Sequence, residues 1–580
     1  MTLARTASIK DISKCVSKHR FAKISALTAC LLCVFASNAG ELDLKTGVSV
    51  EYVVQTIDDI DNDTELDSDN VIIQPFLYAG YNARHMDMFL RATHNHVRRS
   101  LDEESFTNNY VDLSYGGRVD LVDNLLDLRV RGSQTYRSLF ANSFLVDDFL
   151  LNAQDLRKIN TNQATLSFNR PTGNIIGVRS SLSLSRIKAD EPEEPELTPN
   201  NAFNINNTNI DGAISVESGI DLRPFLFDIS LNARKFERDN FNNTGLQQDF
   251  NSELANVRVG SYVSNDVSVR LLGYYENNEI TNDDLVGQFD SLREFYSYGV
   301  GIAWQPSNNR FIEIGLNSSR TEGGAGDEED DDDTFISLDM RWAFSSRTQL
   351  QGSYSRRFFG DAGRFSLSHT LRNWRSSISY SEQVTTNSQL LLREQDGLLV
   401  CSNGIADLAN CRLPEPGDEE LAPGDVLLPA TLPSFELNDQ VVLRKSLSAQ
   451  STFDLRRSTL VATITRSDND ELDAQREVDT FGGSVRLSIE LTPRTILNMN
   501  AAYTDIEREL QGEATTSIIQ QVGIDIKRQI SRRFSVNVGY QYLDRSGDAI
   551  DPIGGIQGIS GPLTDNRISA NIQYEFDNNR

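Results

Sequence analysis

Along most of this chain every second residue is apolar, and the alternation continues to within a few residues of the C-terminus. In NLLDLRVRGSQ (124–134), Leu126, Leu128, Val130 and Gly132 fall on one side and Asp127, Arg129, Arg131 and Ser133 on the other. Phe225, Phe227, Ile229, Leu231 and Ala233 alternate with Leu226, Asp228, Ser230, Asn232 and Arg234. Ile336, Leu338, Met340, Trp342 and Phe344 alternate with Ser337, Asp339, Arg341 and Ala343. The same holds for Val485 to Ile489, for Phe534 to Tyr542, and for Ile568, Ala570, Ile572, Tyr574 and Phe576. A period of two puts alternate side chains on opposite faces of a β-strand. A chain made almost wholly of such strands must bury one face of each and must also protect its sheet edges.

The connections alternate as well. Long links at 138–160, 188–207, 236–248, 321–333 and 507–516 are each followed by a tight one: Pro171-Thr172-Gly173, Leu222-Arg223-Pro224, Ser264-Asn265-Asp266, Ser345-Ser346-Arg347 and Ile530-Ser531-Arg532. This predicts a meander with every long loop at one end, and about 24 strands in all. An even number brings both ends of the meander to the tight-turn side. A soluble sandwich would also alternate, but an open meander of this length would expose its edges. Strands of roughly 10–14 residues match the span needed to cross a bilayer at a tilt. The aromatics Trp304, Trp342, Trp374, Phe344, Phe534, Tyr574 and Phe576 sit beside tight turns, as a belt at one membrane interface would. The fold expected is all-β: one large transmembrane antiparallel up-and-down barrel over 40–580, with short turns on the periplasmic side and long acidic loops outside.

Residues 1–39 read as a secretory signal peptide. Arg5, Lys10, Lys14, Lys18, Arg20 and Lys23 precede an apolar run that ends in Ser37-Asn38-Ala39. Leu27-Thr28-Ala29-Cys30 also resembles a lipoprotein cleavage box, although the apolar run continues past it. The chain is 39% hydrophobic and carries a net charge of −28. Past the leader no apolar run is long enough for a transmembrane helix. Three of the five cysteines lie in the leader; the remaining Cys401 and Cys411 suit a disulfide that staples a loop in an exported protein.

The final strand, ISANIQYEFDNNR (568–580), resembles the terminal recognition strand of outer-membrane barrels, with aromatics two apart, but four residues follow Phe576. Hairpins such as LLDLRVRGSQTYR and DLRRSTLVATITR are similar in pattern to the outer-membrane barrels associated with PEP-CTERM/exosortase systems, encoded beside exopolysaccharide genes. That resemblance implies the outer membrane of a Gram-negative bacterium. It also implies contact with outer-membrane lipid, lipopolysaccharide and the barrel assembly machinery, and a pore or scaffold working with exopolysaccharide and its export proteins.

A barrel this wide encloses space that something must fill. No plug precedes the first strand after the leader, which argues against an active siderophore-type transporter. The segment 138–156, with Phe140, Phe144 and Phe149, is the first candidate constriction; an apolar patch on the outer rim is the alternative. The loop 388–436, which holds the two cysteines, is the second. Lumen-lining candidates are Arg129, Arg131, Arg179, Asp228, Arg234, Arg258, Arg270, Asp339, Arg341, Arg375 and Arg486. They suit either cross-strand ion pairs that stiffen a polar wall or a guanidinium path for an anionic polymer. His94 and His96 share a face with Met86, Met88, Leu90 and Ala92, which points them outward rather than to a metal. The stretch 57–69 fails as an EF-hand, with Thr64 where glycine and Asn70 where glutamate would be needed. The acidic loops could offer at most a weak Ca²⁺ or Mg²⁺ site. No catalytic constellation, cofactor motif or nucleic-acid footprint is present. A passive conduit linked to exopolysaccharide export is the leading expectation; an inert scaffold barrel with a loop-filled lumen is the rival.

Overall fold

The computed structural model describes residues 40–60, 64–101, 104–138, 149–150, 156–173, 175–189, 206–238, 248–282, 291–322, 331–386, 398–401, 411–412, 426–429, 441–471, 476–510, 513–547 and 562–576. The leader expected over 1–39 and most of segment 138–156 lie outside them.

Alternation becomes strand almost everywhere. The first half runs β1 (Glu41–Asp59), β2 (Thr64–Ala83), β3 (Met86–Leu101), β4 (Glu104–Val122), β5 (Leu126–Ser138), β6 (Leu156–Arg170), β7 (Ile176–Ala189) and β8 (Asn206–Ser218). Then come β9 (Phe225–Arg238), β10 (Gln248–Tyr262), β11 (Val267–Asn282), β12 (Ser291–Ser307), β13 (Arg310–Glu322), β14 (Asp331–Ser345), β15 (Thr348–Arg357), β16 (Gly360–Thr370) and β17 (Trp374–Thr386). A small separate sheet follows: β18 (Leu398–Cys401), β19 (Cys411–Arg412) and β20 (Val426–Pro429). The chain returns to the wall with β21 (Val441–Leu455), β22 (Ser458–Glu471), β23 (Arg476–Thr492), β24 (Thr495–Leu510), β25 (Glu513–Ser531), β26 (Phe534–Gly547) and β27 (Leu563–Phe576).

Each wall strand pairs antiparallel with its sequence neighbours, β17 pairs directly with β21, and β27 pairs back onto β1 from Thr46↔Phe576 to Asp59↔Leu563. The result is a closed sheet of 24 strands with no edge. Closure satisfies every ladder from within, which a wall facing an apolar solvent requires. Strand ends and tight turns such as Ser345–Thr348 and Ser531–Phe534 gather at one rim, together with the start of β1 and the end of β27.

The ladders reach further from that rim than the sequence suggests. Strands span 10 residues in β15 to 20 in β2, beyond the expected range. Two stretches expected as loops, the acidic 57–69 and the long link 507–516, are largely strand. In 57–69, β1 runs to Asp59 and β2 starts at Thr64, with Asp58↔Glu65 and Thr56↔Asp67 in register. In 507–516, β24 and β25 continue to Leu510↔Glu513. The physical reason is that the hydrogen-bonded ladder and its side-chain partners persist past the apolar band: Tyr52 Oη donates to Asp69 at 2.7 Å and Thr56 Oγ1 to Asp67 at 2.7 Å.

Candidate functional site: a polar lumen

The two faces of the wall differ completely. Leu182, Leu184, Val300, Ile302, Ile314, Leu316, Ile336, Val485, Ile524 and Ile572 are exposed on the outside, and similar residues ring the whole barrel. The inner face carries serine, asparagine, threonine and charge. All eleven candidates lie on that inner face, because each alternates with outward apolar residues such as Val130, Leu182, Leu231, Val257, Val269, Ile336 and Val485.

Five of the eleven come together with a carboxylate that pattern reading missed. Arg258 on β10 sits in register with Asp228 on β9. Its Nη1 donates to Asp339 on β14 at 2.8 Å, and its Nε lies 3.5 Å from Glu313 on β13. Arg270 on β11 reaches the same Glu313 at 3.0 Å. Arg270 and Arg341 both lie over the ring of Phe311, at 5.0 and 5.4 Å. Glu313 is almost fully buried, so two guanidinium groups compensate it, as a desolvated carboxylate demands. Glycines make room for these flat-lying side chains. A Cβ on Gly260 would fall 2.8 Å from Arg270 Cγ, and one on Gly315 would fall 2.5 Å from Leu272 Cδ1. A cavity of about 190 Å³ opens here, bordered by Arg258, Glu313, Asn317, Ser337 and Asp339. The remaining candidates stand apart. Arg129 pairs with Asp127 at 2.8 Å, Arg179 with Glu217 at 3.0 Å, Arg234 with Asp211 at 2.8 Å and Arg375 with Asp454 at 2.9 Å. Arg131 bonds Gln163 at 2.6 Å, and Arg486 has no ion pair among the described residues.

Toward the rim opposite the tight turns, apolar clusters form in the interior among buried polar residues such as Gln55, Asn70 and Asn207. One cluster joins Ile57, Val478, Ile506, Ile519, Leu543 and Leu563 across β1 and β23–β27. A second joins Val53, Ile72, Val97 and Tyr110 to Leu156 and to Leu150 of the segment between β5 and β6. Phe149 stacks on Tyr110 at 4.7 Å, and Arg99 Nη1 donates to the Leu150 carbonyl at 3.1 Å. The described part of this segment is therefore tucked inside the wall and not onto its outer rim.

The third cluster contains Phe236 and Phe250 of β9 and β10 with Val384, Val441 and Leu443 of β17 and β21; Phe358 and Phe359 pack against it. Measured along the wall, β9 and β17 are eight strands apart, about 38 Å at the usual strand spacing. Their contact means that the wall folds inward. Val384 and Leu443 share a face with the outward Tyr380 and Leu447, yet they pack on inward Phe236 and Phe250. Val384, Thr385 and Thr386 are all buried, as are Val441 through Arg444. The upper ends of β17 and β21 thus lean across the lumen with both faces covered, and Arg234 Nη1 reaches the Val384 carbonyl at 3.4 Å. A strut braces this crossing. The short β15–β16 hairpin ends in Phe358-Phe359, and Arg357 beside them grips Glu276 on β11: Nε donates at 2.9 Å and Nη2 also contacts the carboxylate. Tyr274 Oη and Asn278 Nδ2 complete the fully buried Glu276, at 2.8 and 3.0 Å.

On the outer face the seven aromatics named above lie near the tight-turn rim, with Trp304 and Trp342 5.7 Å apart and Trp374 stacked on Phe453. A second aromatic tier lies higher: Tyr52, Tyr275, Tyr354, Tyr380 and Tyr503, each hydrogen-bonded to a carboxylate, namely Asp69, Glu294, Asp361, Glu382 and Asp505. Sequence reading missed this tier, although Tyr380-Ser-Glu382 and Tyr503-Thr-Asp505 repeat one spacing. His94 and His96 face outward, with His96 Nδ1 2.8 Å from Asn109. Asp468, Glu477 and Asp479 converge on the outer wall within metal-ligating distance of one another. Cys401 and Cys411 are direct backbone partners between β18 and β19.

No known family model matches the chain, and no curated protein does. Among solved structures it is similar to the siderophore receptor PirA from Acinetobacter baumannii (9% identity, TM-score 0.40, covering 92% of this chain and 81% of that one). It is also similar to the FrpB iron transporter from Neisseria meningitidis (8%, TM-score 0.37, 92% and 82%) and to the copper transporter OprC (8%, TM-score 0.37, 92% and 83%). Likenesses of this degree carry no argument about what the chain does.

Proposed function

We propose that this protein is an outer-membrane conduit for a polar solute that rests closed at its outer end. The observation that carries the membrane placement is the continuous girdle of exposed apolar side chains, bounded below by tryptophan and phenylalanine and above by tyrosine. An unbroken apolar surface around a closed wall is tolerated only against lipid. The tight-turn rim then faces the periplasm. The lumen supports a polar cargo: its lower and middle walls are charged and hydroxylated, and the guanidinium groups of Arg129, Arg131, Arg341 and Arg486 suit carboxylate or phosphate. Together with the resemblance of its hairpins to exopolysaccharide-associated barrels, this favours an anionic polysaccharide as cargo and polysaccharide-export proteins as partners. The three apolar clusters and the β17–β21 crossing supply the closed state. They also favour a second reading, an envelope scaffold that never opens. No enzymatic role is assigned.

Conductance in planar bilayers separates the two. The conduit reading expects rare, brief openings from the intact protein. It expects frequent large openings when Phe236→Ser is combined with Val384→Ser, since both remove apolar cover from the crossing. A folded, inserted double variant that stays silent would sink the conduit reading and leave the scaffold.

A further inference from the structure

The outer wall is not evenly convex. Across β6–β11 it is indented into a groove of about 520 Å³, within the roughly 300–1,000 Å³ range of ligand sites. Its floor is set by small residues, Ser180, Gly212, Ala233 and Ala255, and its ridges by Leu166, Leu182, Ile214 and Leu231. These residues stand four to eight positions above the tight turns, inside the apolar girdle, so whatever fills the groove there must itself be apolar.

Three cations stand above the groove. Arg186 and Lys188 on β7 and Lys235 on β9 are exposed on the outward face, ten to twelve residues from the tight-turn rim. At about 3.3 Å per residue and a tilt near 40°, that is about 25–30 Å up, the level of the outer headgroups. Arg186 is steadied by Asn206 at 3.1 Å, and Lys235 is paired with Glu237. Glu253 lies on the far edge of the groove, beside Tyr275. Half-way round the barrel the same height is more acidic: Asp468, Asp470 and Asp479 crowd β22 and β23, paired with Lys445 of β21 and Arg466 of β22. Outward cations recur at this height elsewhere, as at Arg98, Arg320 and Arg466, but at the groove three of them crown neighbouring strands.

We infer that the β6–β11 groove is a lipid site: an acyl chain lies along Gly212, Ala233 and Ala255, and a phosphate headgroup is held by Arg186, Lys188 and Lys235. The occupant is a bilayer lipid because the groove lies within the apolar girdle, and it is anionic because Arg186 and Lys188, with Lys235 beside Glu237, crown the same strands at headgroup height. This rests on the membrane placement proposed above.

The test uses the full mature chain inserted into vesicles of equal phosphatidylglycerol and phosphatidylcholine with matched acyl chains, extracted gently and weighed intact by mass spectrometry. The wild type is expected to retain phosphatidylglycerol about ten- to a hundred-fold over phosphatidylcholine, from roughly 1 kcal/mol per basic residue near the headgroups. The triple variant Arg186→Ala, Lys188→Ala, Lys235→Ala changes only exposed side chains and should retain the two lipids about equally. Filling the floor with Gly212→Leu and Ala233→Leu should lose both. An inserted wild type that retains neither lipid, or both equally, overturns this inference while leaving the membrane placement intact, as does a triple variant that keeps the preference. A protein that fails to float with vesicles overturns the membrane placement as well.

Discussion

Replacing Glu276 by glutamine tests whether the strut holds the lumen shut. The Glu276 carboxylate is fully buried and receives both arms of Arg357, a residue whose side chain is itself only 19% exposed. Glutamine keeps the shape but removes the charge, so Arg357 is left buried with no carboxylate. Breaking a buried pair from one side costs about 3–5 kcal/mol, a factor of roughly 10²–10⁴ in the folded equilibrium. Tyr274 and Asn278 can still hydrogen-bond the amide, which favours the lower end of that range. Urea titration of the barrel folded into vesicles, followed by tryptophan fluorescence and gel mobility, reads the loss. Adding Arg357→Met should restore much of it, because methionine removes the buried charge left without its carboxylate while keeping a similar length. Arg357 also lies 5.0 Å over the Phe359 ring, beside the β17–β21 crossing, so the same single substitution should raise channel open time. A single variant within about 0.5 kcal/mol of wild type, the size expected of an ordinary surface substitution, would refute the reasoning.

Three further outcomes are expected. Gly315→Ala should cost about 1–3 kcal/mol, because its Cβ would meet Leu272 Cδ1 at 2.5 Å and Ser337 Oγ at 2.6 Å, and Leu272→Ala should recover part of that in the same urea assay. Asp468 faces Asp479 directly across β22 and β23, with Asp470 two residues on, so like charges crowd one face. Asp468→Asn should therefore gain up to about 1 kcal/mol in the same urea assay at pH 7. Finally, the exported chain denatured without reductant should show no maleimide-reactive thiol, and two after reduction, if Cys401 and Cys411 are joined.

The alternation of residues such as Ile336, Leu338 and Met340 with Ser337, Asp339 and Arg341 carries strand identity, inward and outward faces and the tight-turn rim, because a period of two leaves a side chain only two directions. It does not say where a strand stops being useful. Asp58, Asp67 and Asp69 look like loop residues by composition, yet cross-strand partners hold them in the ladder. Nor does it show which inward residues meet across the lumen. Glu313 is one acid among many in the sequence; only closure sets it between Arg258 and Arg270. The crossing did leave a trace: Val441-Val442-Leu443 breaks the alternation, as a strand end covered on both faces should. The groove on β6–β11 left only scattered small residues, which carry meaning once neighbouring strands align them.

The seam between the first and last strands sets a schedule for folding. Ser49 Oγ meets Asn571 at 3.0 Å and Gln55 Nε2 meets Asp565 at 3.1 Å, contacts that join residues more than five hundred positions apart. Until β27 arrives, β1 presents a row of unanswered donors and acceptors, and loop-closure entropy opposes their meeting. The nascent sheet must therefore be kept from pairing with other chains for as long as the rest of the meander takes to form. A truncation of only the last strand would expose two sticky edges at once, which makes aggregation its expected fate.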